Sequence, residues 1–287
     1  IQETAWTINE DVMSFIDWLH GKGKNGPLGF ATKDAPRVKL STEEWTNLTK
    51  KQKSEIYDEK RKRASTLGRR SAIATRIEIA QELRNQDEFY QPQFLDFRGR
   101  VYPMNTEFNN QADHVAKGMM QFKNGMKLGE SGLRQLKLHV ANTWGQDKLQ
   151  LSERVKYVDD RMDTIMEVAN DYTSAAKISS KADEPFAFYA AAIDLANAMN
   201  NDDPTQHLSH IPCAVDGTCN GLQILSLLGH DTVGADKTNC TSNPIRQDVY
   251  MEVADIAMEL VGAELDSTET VECVDINEDT INIQISD

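Results

Sequence analysis

IPCAVDGTCNGLQILSLLG, running from Ile211 to Gly229, changes its periodicity twice in one short stretch. Ile211 to Val215 are mostly apolar and read as a short buried strand, the next six residues break the pattern, and Leu222, Leu225 and Leu228 resume it at helical spacing. The Asp216 carboxylate therefore falls at a strand end, where the strand fixes the backbone and the loop leaves the side chain open to a ligand. Gly217 lets the backbone come close to a bound group. An Asp-Gly here also has a plain structural use, as a cap for the helix that follows.

Downstream, Asn243 and Pro244 mark a helix start, with Ile245, Val249, Val253, Ile256 and Leu260 on one face. Beyond Gly262 the chain carries eight acidic and no basic residues. Ile281, Ile283 and Ile285 alternate with polar residues, which predicts a terminal strand, the second arm of a hairpin with an open edge. Upstream, residues 129 to 199 read as helical support, with Ser152 capping the stripe Val155, Val158, Met162, Ile165 and Ala169, and Pro185 opening an alanine-rich helix. His207, His210, Cys213 and Cys219 do not match zinc-ligand spacing.

Phe94 to Tyr102 alternates as a strand or extended hairpin arm, with Arg98 and Arg100 on one side and Gly99 between them. Two guanidiniums on one face suit a phosphate or ribose, and either can instead pair with Asp96 on that face. Between Lys50 and Arg84 eleven basic residues face five acidic ones, a local +6 that includes Arg61, Arg63, Arg69, Arg70 and Arg76. Ile73, Ile77, Ala80 and Leu83 give this helix an apolar stripe, leaving the cations outward. Ser41 with Glu44 forms a capping box ahead of it, and a first helix spans Asn9 to His20 with Asn9 as its cap. Residues 21–26 match a dinucleotide-loop pattern but follow a helix, not a strand, and read as a flexible linker.

The net charge of −14 opposes general affinity for phosphate, so the basic helix has to supply it locally. Four scattered cysteines exclude a disulfide scaffold and fit a reducing compartment. No run of 18 apolar residues and no basic-then-apolar leader occurs, which predicts an unexported protein without membrane contact.

Asp216 to Gln223, followed by Leu228, Gly229, His230 and Asp231, resembles motif A of the single-subunit RNA polymerases of bacteriophages and mitochondria. Leu95 to Pro103, LDFRGRVYP, resembles the same family's palm signature, and Thr4 to Trp6 with Ile8 and Asn9 resembles its approach to the thumb. The order of the three matches is the family's. Thr218 stands where serine is common and Ile224 where histidine often follows the glutamine. The motif B helix and the His-Asp-Ser of motif C have no counterpart in these residues.

The resemblance implies an α+β, mostly helical fold: a right-hand polymerase thumb with the first part of the palm, and motif A on a strand-turn-helix. Residues 1–88 would form the thumb-like helical region with its basic arm. Residues 89–287 would form the palm portion and an acidic, strand-bearing tail. The implied activity is DNA-directed RNA synthesis with two magnesium ions, Mg2+ being held by the Asp216 carboxylate and the Gly217 carbonyl. Gly217, Thr218 and Gly221 would meet the ribonucleoside triphosphate, a glycine at 221 leaving room for a ribose 2′-hydroxyl. Arg98, Arg100 and the α-helical arginines would follow DNA template and nascent RNA. Motifs B and C would come from a second polymerase subunit, or from the rest of a longer single polypeptide of which these residues are the N-terminal fragment, and a recruiting factor would bring the promoter; the alternative of another class is a non-catalytic nucleic-acid-binding subunit in which motif A survives only as structure. The expected compartment is cytoplasmic, that of an infected bacterial host if the source is a phage.

Overall fold

The computed structural model describes residues 1–21, 28, 40–215, 217–243, 245–264, 270–274 and 280–284. The expected linker at 21–26 lies almost wholly outside them. The described chain divides into two compact units, Ile1–Ala214 and Val215–Asp287. It is mostly helical with four two-stranded antiparallel sheets, an α+β fold. No described helix is long and apolar enough to cross a membrane.

The first unit opens with β1 (Trp6–Ile8) and α1 (Glu10–Gly21). Asn9 caps α1 as its sequence predicts, its Oδ1 accepting the Val12 N–H at 3.1 Å. After α2 (Thr42–Asn47) the helix expected from Ser41 stops, and α3 (Lys50–Leu83) starts afresh. The reason is a second capping box: Thr49 Oγ1 accepts the Gln52 N–H at 3.3 Å, and Gln52 Oε1 accepts the Thr49 N–H at 3.0 Å. On α3, Ile77 and Ala80 are buried and Ile73 and Leu83 pack beside them, as the stripe requires.

A hairpin follows, β2 (Gln93–Leu95) against β3 (Val101–Pro103), then α4 (His114–Met119), β4 (Met120–Phe122) paired with β1, and β5 (Met126–Lys127). The helices α5 (Gly129–Trp144), α6 (Leu151–Asp159), α7 (Met162–Asn170), α8 (Tyr172–Ser179) and α9 (Pro185–Met199) complete the layer. Helix α6 begins ahead of Ser152, because the Glu153 carboxylate reaches back to the Gln150 N–H at 3.0 Å and moves the cap two residues upstream. Pro185 does hold the first position of α9.

Helix α9 is apolar on nearly every face, so it must be central, and α1, α4, α5, α7 and α8 all pack on it. At its crossing with α4, a Cβ on Gly118 would lie 2.7 Å from the Phe186 backbone carbon and oxygen. Backbone cannot retreat as a side chain does. Gly118→Ala is therefore expected to cost about 1–3 kcal/mol, read as a lower urea midpoint at unchanged slope; an unshifted midpoint would show that the crossing relaxes freely.

His139 on α5 is buried, and burial lowers its pKa to about 4. An unfolded histidine ionises near pH 6.5, so between those values only the unfolded chain takes up the proton. The stability this histidine leaves intact above about pH 6.5 is lost as pH falls toward 4, by about 3 kcal/mol in total. Urea unfolding of the wild type and His139→Gln at pH 7 and 4.5 checks this; equal pH slopes for the two would contradict it.

The strand expected at 211–215 is displaced. Strand β6 covers Leu208–Ser209 and pairs with β5, and just past it the His210 oxygen accepts the N–H of Phe122, the last residue of β4, at 2.9 Å. Residues 211–215 carry no ladder among the described residues, and Val215 is 92% exposed. An apolar run carries no information on whether a neighbouring strand reaches it.

The second unit holds α10 (Asn220–Leu228), α11 (Thr232–Lys237), α12 (Val249–Glu264) and the hairpin β7 (Thr270–Val274) with β8 (Thr280–Gln284). The terminal hairpin agrees with the isoleucine alternation. Helix α12 begins later than Asn243 predicts. Asn239 and Gln247 exchange two hydrogen bonds of 2.8 Å ahead of the helix, and Asp248 caps it through the Tyr250 N–H at 3.0 Å.

Candidate active site and nucleic-acid interface

Asp216 lies outside the described residues; Gly217 and Thr218, which follow it in the sequence, lead into α10. A Cβ on Gly217 would fall 2.8 Å from Asn220 Oδ1, so the glycine admits the Asn220 side chain against the loop backbone. Cys219 enters α10 in the left-handed region, at φ +56°. On the first turn of α10 the Cβ direction of Gly221 is open, with nothing within 4 Å. Gln223 Nε2 donates to the Thr238 oxygen at 2.7 Å and ties α10 to the end of α11. Asp231 caps α11 by accepting the Gly234 N–H at 3.0 Å.

Thr218 and Cys219 line a cavity of about 60 Å³ with Lys237, Asn239, Asp248 and Tyr250. The adjacent Cys219 thiol holds the Tyr250 hydroxyl above its ordinary pKa. Lys237 Nζ is engaged with Glu252 at 2.8 Å.

The oxygen donors at hand for a cation are the Asp216 carboxylate, by sequence, and the Gly217 carbonyl, which suit the hard magnesium ion. No group of three or more His, Cys, Asp or Glu side chains placed for a metal occurs among the described residues. Of the four residues rejected as a zinc set, His207 Nε2 lies 3.0 Å from Asp194 and His210 Nδ1 2.8 Å from the Phe122 oxygen.

Arg98 and Arg100 do not sit on a strand but in the turn between β2 and β3. Asp96 organises that turn: its Oδ1 accepts the N–H groups of Arg98 and Arg100 at 2.8 and 2.9 Å, and its Oδ2 accepts the Arg98 Nε–H at 3.0 Å. The Arg100 N–H, with the Arg98 side chain and N–H, holds the Asp96 carboxyl below the usual carboxylate range. Gly99 takes φ +75°, a conformation that favours glycine. The pairing of Arg98 with Asp96, open in the sequence, is present, and the Arg98 and Arg100 side chains remain exposed at the hairpin tip. Phe97, which the sequence reading passed over, is 96% exposed there, with the Arg98 guanidinium 5.4 Å from its ring centroid. Its signal was an aromatic residue between two charged ones in a turn.

On α3, Arg61 is exposed and only loosely paired with Asp58 at 3.9 Å. Arg63 and Arg70 are half-buried and, seven residues apart, share a helix face. The Arg69 side chain lies outside the described set. Arg76 is turned inward: its Nε donates to the Glu107 oxygen at 3.0 Å and a terminal nitrogen lies 3.2 Å from Asp113 Oδ2. That guanidinium anchors α3 to the loop ahead of α4.

Residues 126–284 match the family model of DNA-dependent RNA polymerase. The chain is 31% identical over 92% of its length to DNA-directed RNA polymerase 2, chloroplastic/mitochondrial, of Arabidopsis thaliana, of which it covers 26%. It is 33% identical over 88% of its length to that plant's mitochondrial DNA-directed RNA polymerase 1, again covering 26%. To the mitochondrial DNA-directed RNA polymerase of Neurospora crassa it is 37% identical over 89% of its length, covering 18% of that protein. The chain belongs to the DNA-dependent RNA polymerase family, in its single-subunit type. It spans about a quarter or less of the length of these organellar relatives.

Proposed function

We propose that these residues are the motif A portion of a DNA-directed RNA polymerase that extends RNA from ribonucleoside triphosphates on a DNA template. The observation that carries this reading is the Asp216–Gln223 segment at the start of α10, inside the stretch matched to the family. Asp216 and the Gly217 carbonyl would hold Mg2+ at the site. When bound, such ions supply charge stabilisation to the transferring phosphoryl group and favour the 3′-alkoxide nucleophile. Thr218 and Gly217 line the approach to the triphosphate, and Gly221 leaves space beside the sugar. Arg98 and Arg100, exposed at one turn, and Arg61, Arg63, Arg69 and Arg70 along α3 supply the phosphate contacts that a net charge of −14 otherwise disfavours. Arg76 contributes by fixing α3 in place.

Motifs B and C come, in this proposal, from a second polymerase subunit, and a separate factor recruits the promoter. Affinity capture from the native source tests it: a co-purifying chain with a His-Asp-Ser motif is expected, and capture without any such chain contradicts the two-subunit form. Gly221→Glu tests the sugar assignment. With nothing within 4 Å of the Cβ direction, the helix admits the side chain, and the carboxylate takes the space left for the 2′-hydroxyl. The ratio of kcat/KM for ribonucleotides over 2′-deoxyribonucleotides should fall about tenfold or more, equivalent to about 1.4 kcal/mol or more. An unchanged ratio removes Gly221 from sugar selection.

A further inference from the structure

Trp45 of α2 packs across the first turns of α3, its ring centroid 5.4 Å from that of Tyr57 with the planes at 86°, an edge-to-face contact. Lys60 Nζ lies 5.1 Å from the Trp45 centroid and 5.7 Å from that of Tyr57, and Lys53 Nζ lies 5.9 Å from Trp45. These contacts hold α2 on α3, yet they serve no core. Tyr57 is 56% exposed, and no described side chain of α3 ahead of Ile77 is buried.

Helix α3 is anchored at its other end, by Ile77 and Ala80 in the core and by Arg76 on Glu107 and Asp113. At 1.5 Å per residue, Tyr57 lies about 28 Å along the helix from that anchor. Residues 50–63 hold seven basic and three acidic side chains in a chain of net charge −14, so an anion is drawn to this end. Lys53, Lys60, Arg63 and Arg70, spaced by seven, three and seven residues, fall on one helix face. Phosphate alone needs only such cations. An exposed aromatic pair among them needs in addition a flat apolar face, which an unpaired base offers and a base inside a duplex does not.

We infer that the α2–α3 corner binds single-stranded nucleic acid, an unpaired base stacking on the Tyr57–Trp45 pair while the adjoining phosphates follow Lys60, Arg63 and Arg70 along α3. This rests on the reading of α3 as a phosphate-contacting helix and adds to it the form of strand that the helix meets.

The test titrates the 287-residue chain with labelled oligothymidylate, oligouridylate and a duplex of equal length, reading anisotropy and tryptophan fluorescence. A single strand should bind with quenching of tryptophan, and the tighter of the two tells template DNA from RNA. Tyr57→Ala should weaken single-strand binding about tenfold or more and duplex binding by no more than about twofold, with helix content unchanged. Trp45→Phe should remove the quenching and, by keeping a ring, most of the affinity should remain. Tyr57→Ala without effect, or with equal losses for single strand and duplex, overturns the inference, and so does polyglutamate of equal charge binding as tightly as the single strand, which would make the occupant an acidic protein. In each of these cases the phosphate reading stands if Arg63→Ala weakens single strand and duplex alike. Arg63→Ala without effect on either removes that reading, and the inference with it.

Discussion

Asp216→Ala is expected to abolish RNA synthesis by the assembled polymerase, lowering kcat by about a thousandfold or more, while leaving template affinity within about twofold. The carboxylate is asked to supply several kcal/mol of transition-state stabilisation, because no neutral side chain replaces its charge at a magnesium ion. Template affinity should persist, since the arginines proposed to hold phosphate lie on α3 and on the β2–β3 turn, remote in sequence from residue 216. Asp216→Asn separates charge from shape and should behave like the alanine variant. Filter binding and single-turnover extension on the same preparations make the comparison. If Asp216→Ala synthesises RNA at the normal rate and binds template normally, the chain serves binding alone.

Phe15→Ala should cost about 3–5 kcal/mol of folding stability in the first unit. Phe15 has no exposed surface, and its ring centroid lies 4.1 Å from that of Tyr189, 5.7 Å from Tyr172 and 6.2 Å from Trp18. The site lies where α1 meets α9, in a close-packed aromatic cluster that does not collapse onto a missing ring. Leu228→Ala on α10 is the matched control: that leucine is 76% exposed, and its loss should change stability by no more than about 0.5 kcal/mol. Urea unfolding of both variants reads the contrast. Equal losses would mean that burial does not rank these positions.

What the sequence revealed, and what it hid, follows the distance over which each feature is determined. The Asn9 cap, the Pro185 start and the buried stripe on α3 depend on residues within one or two helical turns, and all three are present. The shifted starts of α6 and α12 come from side chains that outcompete the expected cap: Glu153 for Gln150, and Asn239 for Gln247 across eight positions. Arg76 reads as one more outward cation until Glu107 and Asp113, more than 30 residues away, close on it. The same holds for Asp194, whose partners at 207 and 209 belong to another element. The absent ladder at 211–215 is the strongest instance, since strand pairing is never local. For the site, the sequence carried more than the geometry: a carboxylate beside two glycines at a helix start takes its meaning from the motif, and Asp216 itself lies outside the described residues.

Primer extension on an RNA-primed DNA template, with magnesium and ribonucleotides, compares the purified chain with the same chain co-purified from its native source. Extension is expected from the co-purified sample alone, the remaining metal-binding carboxylate being proposed to come from outside these residues. Extension by the purified 287-residue chain would contradict it and would place a complete catalytic site within these residues.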